Sequence, residues 1–270
     1  MTQFEPKKVR TSSLKAMKQN GQKFACLTSY DSLTASIFDE AGIEVILVGD
    51  SAADNSLGYD STLQITLDEM ISLTRAVSGK AHRALVVADL PFGTYELGPE
   101  QALASAIRLM KEGGAEAIKL EGGQRSAAQI KAITEAGIPV MAHLGFTPQS
   151  VNNLGGFKIQ GRDDESVAQL MADAQAVTAA GAFAVVLELV PAEVAAELTQ
   201  AIDIPTIGIG AGGSTDGQIL VWTDFAGLSS HAPRKFVKQY LDLRSQLLAA
   251  AKSFRNDVVE SKFPTESQSF

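Results

Sequence analysis

Cysteine is almost absent from this 270-residue chain. Cys26 is the only one, so no intrachain disulfide can form. It lies in Phe24-Ala-Cys-Leu-Thr28, an apolar strand-like run where a thiol serves as buried filler. Histidine is scarce as well, with three in the chain, which disfavours a zinc site because zinc recruits His and Cys. Positive charge is in deficit: 23 Lys and Arg face 31 Asp and Glu, for a net charge of −8. That argues against nonspecific binding to nucleic acid or to an anionic membrane, though not against a local basic patch around an anionic substrate. No apolar run is long enough to span a membrane. The polar N-terminus lacks the apolar segment of a signal peptide, so the cytoplasm is the expected location. No linker-like stretch interrupts the chain, which reads as one domain over 1–270. Residues 1–23 form an N-terminal extension, and 260–270 a frayed tail.

What is present is a rhythm. Lysines and Arg10 dominate residues 1–23, where a short helix to Gln19, stopped by Gly21, would cap the domain rather than bind a ligand. Strand-like runs then recur at Phe24–Thr28, Glu44–Gly49, Ala84–Ala88, Glu116–Leu120, Pro139–Ala142, Phe183–Leu187, Pro205–Ile209 and Gln218–Trp222. Helical segments separate them. Ser29 or Asp31 can cap the first, Thr66-Leu-Asp-Glu69 reads as a capping box, Pro99 suits a first helical turn, and a last helix is expected over Arg234–Lys252. About eight strands alternating with helices predict a (β/α)8 TIM barrel, with a doubly wound open sheet as runner-up.

The polar residues fall at one kind of place. Asp50, Asp89, Glu121, His143 and Glu188 each follow the apolar core of strands two to six. In a barrel those ends meet on one rim, where the active sites of this fold sit. Several uncompensated like charges there would repel strongly. A divalent cation resolves that cost. Asp50, Asp89 and Glu121 offer hard oxygen ligands that suit Mg²⁺, with water or substrate completing the shell. In Ala117-Ile-Lys-Leu-Glu121, strand alternation puts Lys119 and Glu121 on one face and Ile118 and Leu120 on the other. Such a pair is either an inward salt bridge that fixes register or part of a site. Within a site, Lys119 can pair with an anionic substrate. A Schiff-base role is a second reading, disfavoured because adjacent carboxylates hold the amine protonated.

The remaining histidines, His82 and His231, are expected at the surface. Gly208-Ile-Gly-Ala-Gly-Gly213 follows strand seven, where barrels bind phosphate through backbone N–H groups. It could equally let a bulky planar ligand approach.

The ordered motifs Val48-Gly-Asp-Ser51, Ala88-Asp-Leu-Pro-Phe92, Ile118-Lys-Leu-Glu-Gly-Gly123, His143-Leu-Gly-Phe-Thr-Pro-Gln-Ser-Val-Asn152, Gln160-Gly-Arg162, Leu187-Glu188, Ile204–Gly212 and Asp216–Val221 make the chain closely similar to the ketopantoate hydroxymethyltransferase family, from about residue 8 to 265. The resemblance implies transfer of a hydroxymethyl group from 5,10-methylenetetrahydrofolate to 3-methyl-2-oxobutanoate, giving 2-dehydropantoate for pantothenate synthesis through a metal-stabilised enolate. It places the metal ligands on Asp50, Asp89 and Glu121, one Mg²⁺ per subunit. It places keto-acid contacts on Asp50, Ser51, Asp89 and Lys119, and the general base on Glu188. It also implies a homodecamer.

The chemistry of the residues agrees. Glu188 lies on a different strand from the ligands and can take a proton from C3. Ser51 would orient the substrate carboxylate. His143 would hydrogen-bond the metal shell or substrate, or be a buried structural histidine. One departure stands out: the family continues Val-Gly-Asp-Ser with Leu-Gly-Met, where this chain has Ala52-Ala53-Asp54. The missing glycine bears on the turn that presents Ser51. The rival readings are a Mg²⁺-dependent C–C lyase or mutase acting on other 2-oxo acids, and a noncatalytic metabolite-binding barrel.

Overall fold

The computed structural model describes residues 7–229 and 232–270. The start of the N-terminal extension and the expectation for His231 therefore lie outside the described residues. Eight parallel strands close into a barrel in sequence order: β1 (Phe24–Thr28), β2 (Val45–Val48), β3 (Leu85–Asp89), β4 (Ala117–Glu121), β5 (Val140–Gly145), β6 (Ala184–Glu188), β7 (Thr206–Ile209) and β8 (Gly217–Leu220). β8 closes onto β1, with Phe24 in register with Gly217. The open-sheet alternative is excluded by that closure.

Before and between the strands run α1 (Thr11–Gln19), α2 (Ser32–Glu40), α3 (Leu67–Ser78), α4 (Pro99–Arg108), α5 (Ala127–Glu135), α6 (Asp164–Ala179) and α7 (Ala192–Ala201). Their starts follow capping chemistry. The Asp31 carboxylate accepts from the N–H groups of Leu33 and Thr34, and Thr66 with Glu69 forms the expected capping box on α3. α4 runs on into a π turn, Leu109–Gly113, before Gly114 at φ 76° stops it.

Inside the barrel, alternate residues of every strand pack together. Phe24, Cys26, Val45, Leu47, Leu85, Val87, Ala117, Met141, Ala184, Val186, Ile207 and Ile219 form one buried cluster. Leu14 of α1 and Val9 belong to the same cluster, so the extension plugs the barrel at the end where strands begin. Two residues further along β3, β4, β5 and β6, the same inward face carries Asp89, Lys119, His143 and Glu188, and two further again along β4 it carries Glu121. Strand period alone therefore lifts the polar groups one layer above the apolar core.

The chain divides into two compact units, one ending at Val221 and one spanning Trp222–Phe270. In the second, Trp222 does not extend β8 but opens a short helix, α8 (Trp222–Phe225). The last helix, α9, covers Leu243–Val259 and so starts later than the expected Arg234. Tyr240 explains the shift. Its ring stacks on Phe225 at 5.1 Å and its N–H donates to the Phe225 carbonyl, a pairing that outcompetes helix for the residues before it. Asp242 then caps α9 by accepting from Ser245. Among the described residues no helix is long and apolar enough to cross a membrane.

Candidate active site at the strand ends

Register brings the polar residues together. Asp89 pairs with Lys119 across β3 and β4, and Glu121 pairs with His143 across β4 and β5. The Lys119 ammonium donates to Asp89 Oδ1, with both side chains buried. Asp89 Oδ2 accepts from the backbone N–H of Asp50 at 3.1 Å. His143 lies between two acids: Nδ1 is 3.5 Å from Glu121 Oε1, and Nε2 is 3.3 Å from Glu188 Oε2. Neither contact is an aligned hydrogen bond, and Glu121 Oε1 has no hydrogen-bond partner although it is buried. Asp50, Asp89, Lys119, Glu121, His143 and Glu188 are all buried at this one end of the barrel.

Ser51 joins the group by a different route. Its hydroxyl shares a 2.7 Å hydrogen bond with Tyr30 OH, which also accepts from Thr28 Oγ1. A Cβ on Gly49 would sit 2.8 Å from Ser51 Oγ, so glycine before Asp50 is what lets the serine fold back over the strand end. The departure at Ala52-Ala53-Asp54 is accommodated without strain. Ala52 is right-handed helical at φ −59°, and Ala53 opens a π turn, Ala53–Leu57, closed by Gly58 at φ 77°. Ala52 and Ala53 are fully buried, where two methyl groups suffice.

The electrostatics show an excess of negative charge. Burial raises the Asp50 carboxyl well above the usual carboxylate range, and Asp89 beside it adds to the rise against the pull of Lys119. Burial works against the Lys119 ammonium, but Asp89, Asp50 and Glu121 outweigh it and hold the amine charged. Burial and Lys119 both disfavour a charged His143, yet the carboxylates of Glu121 and Glu188 push it up to about 9.

Like Tyr30, two more residues of the site have no role assigned from the sequence. Gln149 and Tyr95 are buried among the acids. The Gln149 amide donates from Nε2 to Asp50 Oδ2 at 2.9 Å and to the Leu90 carbonyl at 3.0 Å, while its backbone N–H donates to Glu121 Oε2 at 3.1 Å. Tyr95 OH donates to Gln149 Oε1 at 2.6 Å. Both lie on loops, after β5 and β3, where no period marks which residue turns inward. The only signal was the position of Gln149 inside a motif shared with the family.

Among the described residues no three His, Cys, Asp or Glu side chains converge as a ready-made cage. The chemistry nevertheless fits a hard cation that keeps part of its own shell. Three acids share one lysine, and a buried carboxylate oxygen, Glu121 Oε1, stands without a donor. The glycine-rich turn after β7 has a packing explanation. A Cβ on Gly208 would meet Thr215 Oγ1 at 2.7 Å, and one on Gly212 would meet Ala192 at 2.5 Å.

A closed parallel barrel with buried acids, a lysine and a histidine at its strand C-termini is a (β/α)8-barrel enzyme site, suited to acid–base chemistry on a small anion. The profile of one family, ketopantoate hydroxymethyltransferase, matches residues 8–266, and the chain belongs to that family. It is 58% identical to the 3-methyl-2-oxobutanoate hydroxymethyltransferase of Leifsonia xyli, over 98% of this chain and 95% of that protein. It is 59% identical to the one from Thermobifida fusca, over 98% and 94%. Among solved structures, phosphonopyruvate hydrolase in complex with oxalate and Mg²⁺ superposes with a TM-score of 0.63 at 14% identity, covering 96% of this chain and 93% of that one. For 2,3-dimethylmalate lyase the TM-score is 0.59 at 17% identity, over 96% and 91%. At such identities these two share the fold only.

Proposed function

We infer that this chain is a one-carbon transferase that converts 3-methyl-2-oxobutanoate to 2-dehydropantoate with 5,10-methylenetetrahydrofolate. Family membership over 8–266 carries the activity. The observation that carries the site is the buried set of acids around Lys119 on one rim. Lyase or mutase chemistry has support from fold relatives at 13–18% identity alone.

In this reading Lys119 neutralises the substrate carboxylate and Ser51, held by Tyr30, orients it. Asp50, Asp89 and Glu121 would hold Mg²⁺, directly or through water. Mg²⁺ is the ion whose preference for oxygen and retained waters suits this donor set. When bound, it supplies Lewis-acid stabilisation of negative charge at the 2-oxo oxygen. Glu188 takes the C3 proton, the role of a carboxylate on a strand apart from the other three. His143, between Glu121 and Glu188, would hydrogen-bond the metal shell or the substrate. C3 then forms a bond to the one-carbon unit, both C–N bonds that tie that carbon to the folate break, water supplies the hydroxyl oxygen, and the C3 proton and one proton of that water end on the two folate nitrogens. The folate is taken from the same rim. Phe92 and Leu97 after β3, and Phe157 and Ile159 after β5, leave apolar surface there that supports this placement.

We further propose a homo-oligomer, a decamer by family resemblance, in the cytoplasm. Exposed Leu33 and Ile37 on α2, and Leu247 and Leu248 on α9, support association of copies. Light scattering of the purified chain tests it, and a monomer at micromolar concentration would overturn it.

The site is tested by solvent deuterium entering C3 of 3-methyl-2-oxobutanoate. Exchange should require Mg²⁺, cease with a chelator and need no folate. Exchange that survives chelation would remove the metal from this reading.

A further inference from the structure

Gln149 makes an unusual set of contacts for a loop residue. It sits in a 3-10 turn, Pro148–Ser150, just beyond β5. Its side chain reaches the acid after β2, and its main chain reaches the acid that ends β4. Its side-chain amide and its backbone N–H are all engaged, and the partners include two of the three acids read as metal ligands.

The amide cannot turn over. A glutamine presents one acceptor and two donors. Tyr95 has a phenol that burial keeps protonated, with the Glu121 charge acting in the same direction, so it is a donor. It is spent on Oε1 at 2.6 Å. Nε2 is thereby aimed at two acceptors, Asp50 Oδ2 and the Leu90 carbonyl. A flipped amide would set its oxygen against both and its NH₂ against a hydroxyl donor.

The consequence lies in which carboxylate oxygens remain. Gln149 engages Asp50 through Oδ2 and Glu121 through Oε2. Glu121 Oε1 is the buried oxygen left without a hydrogen bond. We propose that Gln149, oriented by Tyr95, is a positioning residue that locks one oxygen of Asp50 and one of Glu121 so that the other oxygen of each is presented to the cation. The proposal rests on the reading of Asp50 and Glu121 as ligands. Groups one bond removed from a ligand fix its orientation and tune its affinity, and their loss costs roughly 10–100-fold in binding or activity.

The contacts predict an asymmetric response to substitution. The backbone N–H to Glu121 survives any side-chain change, so only the Asp50 arm is lost. Gln149→Met keeps the volume and unbranched shape while removing both amide functions. Tyr95→Phe leaves the amide in place but frees its orientation.

The experiment titrates Mn²⁺ into the full-length protein and follows free ion by electron paramagnetic resonance, with Asp50→Asn as reference. Circular dichroism and the thermal midpoint establish that each variant is folded. Asp50→Asn should abolish detectable binding. Gln149→Met should raise the Mn²⁺ dissociation constant by about 10–100-fold, and Tyr95→Phe by less. In turnover, Gln149→Met should lose more in apparent metal affinity than in kcat at saturating metal, a split that loosened packing would not produce. A folded Gln149→Met that binds Mn²⁺ like the unaltered protein, while Asp50→Asn does not bind, overturns the positioning role. Unaltered binding by Asp50→Asn overturns the ligand reading itself, and the proposal with it.

Discussion

The two ends of the barrel solve the same problem in opposite ways. At the end where strands begin, Glu44, Glu116 and Asp216 each face one cation: Arg83 at 3.3 Å, Lys8 at 2.7 Å and Lys18 at 2.9 Å. Each also accepts a backbone N–H, from Ala25, Val86 and Thr206 in turn. At the end where strands finish, Asp50, Asp89, Glu121 and Glu188 share Lys119 and one histidine, and an oxygen of Glu121 has no donor. Both sets of acids lie at or beside the ends of barrel strands, so neither fold nor residue type separates them. Satisfaction does. Where every acid has its own cation and its own N–H, the charges hold elements together. Where acids outnumber cations in a buried layer, the proposed cation and substrate would supply the charge balance that the side chains do not.

The sharpest break in that contrast is Glu188→Gln. It leaves the carboxylates around Lys119 intact and removes the proposed base. Exchange of the C3 proton with solvent should fall by about 10²–10⁴-fold while keto-acid binding persists. Proton NMR of 3-methyl-2-oxobutanoate in D₂O reads both. Exchange at the unaltered rate would put the base elsewhere.

Lys119→Met tests the deficit of cations directly. The lysine buried among the rim acids would be gone and Asp89 would lose its buried partner. Removing one member of a buried pair costs about 3–5 kcal/mol because the other charge stays behind. The urea midpoint at neutral pH should drop accordingly. Turnover should collapse as well, since the substrate carboxylate loses its counter-charge.

The inward face of β4 could be read in advance because strand period is strict. Lys119 and Glu121 had to share a side once Ala117–Glu121 was a strand, and equivalent strand ends then gathered Asp50, Asp89, His143 and Glu188. The cap at Thr66 was legible from its capping box, and the first cap was narrowed to Ser29 or Asp31, of which Asp31 takes the role. Gln149, Tyr95 and Tyr30 were not. Their inward turn depends on loop paths set by packing between neighbouring βα units, and nothing of regular period leads to them. The start of α9 was missed because a ring stack between Phe225 and Tyr240 decided it, and the helical pattern of the sequence did not.

pH offers a gentler probe of the same imbalance. In the metal-free protein the carboxylates of Glu121 and Glu188 hold His143 up to about 9, against an ordinary value of 6.5. The folded state therefore binds this proton more tightly than the unfolded chain. Its contribution is complete below about pH 6.5 and is lost as pH rises through about 9. The span allows at most on the order of 3 kcal/mol, less whatever the neighbouring carboxylates absorb. Urea midpoints of the chelated protein should fall across that window, and His143→Gln should flatten the decline. A midpoint that rises with pH over the same range would contradict the placement of His143 between two carboxylates.

Asp216→Ala carries the comparison to the other end. The Asp216 carboxylate accepts from Lys18 at 2.9 Å, from the Thr206 N–H at 2.8 Å and from the Thr206 hydroxyl at 3.1 Å. Its loss leaves the Thr206 N–H without its acceptor and the Lys18 ammonium with the Thr199 carbonyl but no carboxylate, which loosens α1 from β7 and β8, at about 2 kcal/mol. Yet the strand C-termini, a barrel length away, keep every partner they have. Stability should fall while kcat, KM for the keto acid and C3 exchange stay unaltered at a temperature where the variant is folded. A variant that kept its stability but lost exchange would mean that the paired charges at the strand starts also shape the site. The division between satisfied scaffold and unsatisfied site would then fail as a guide to this molecule.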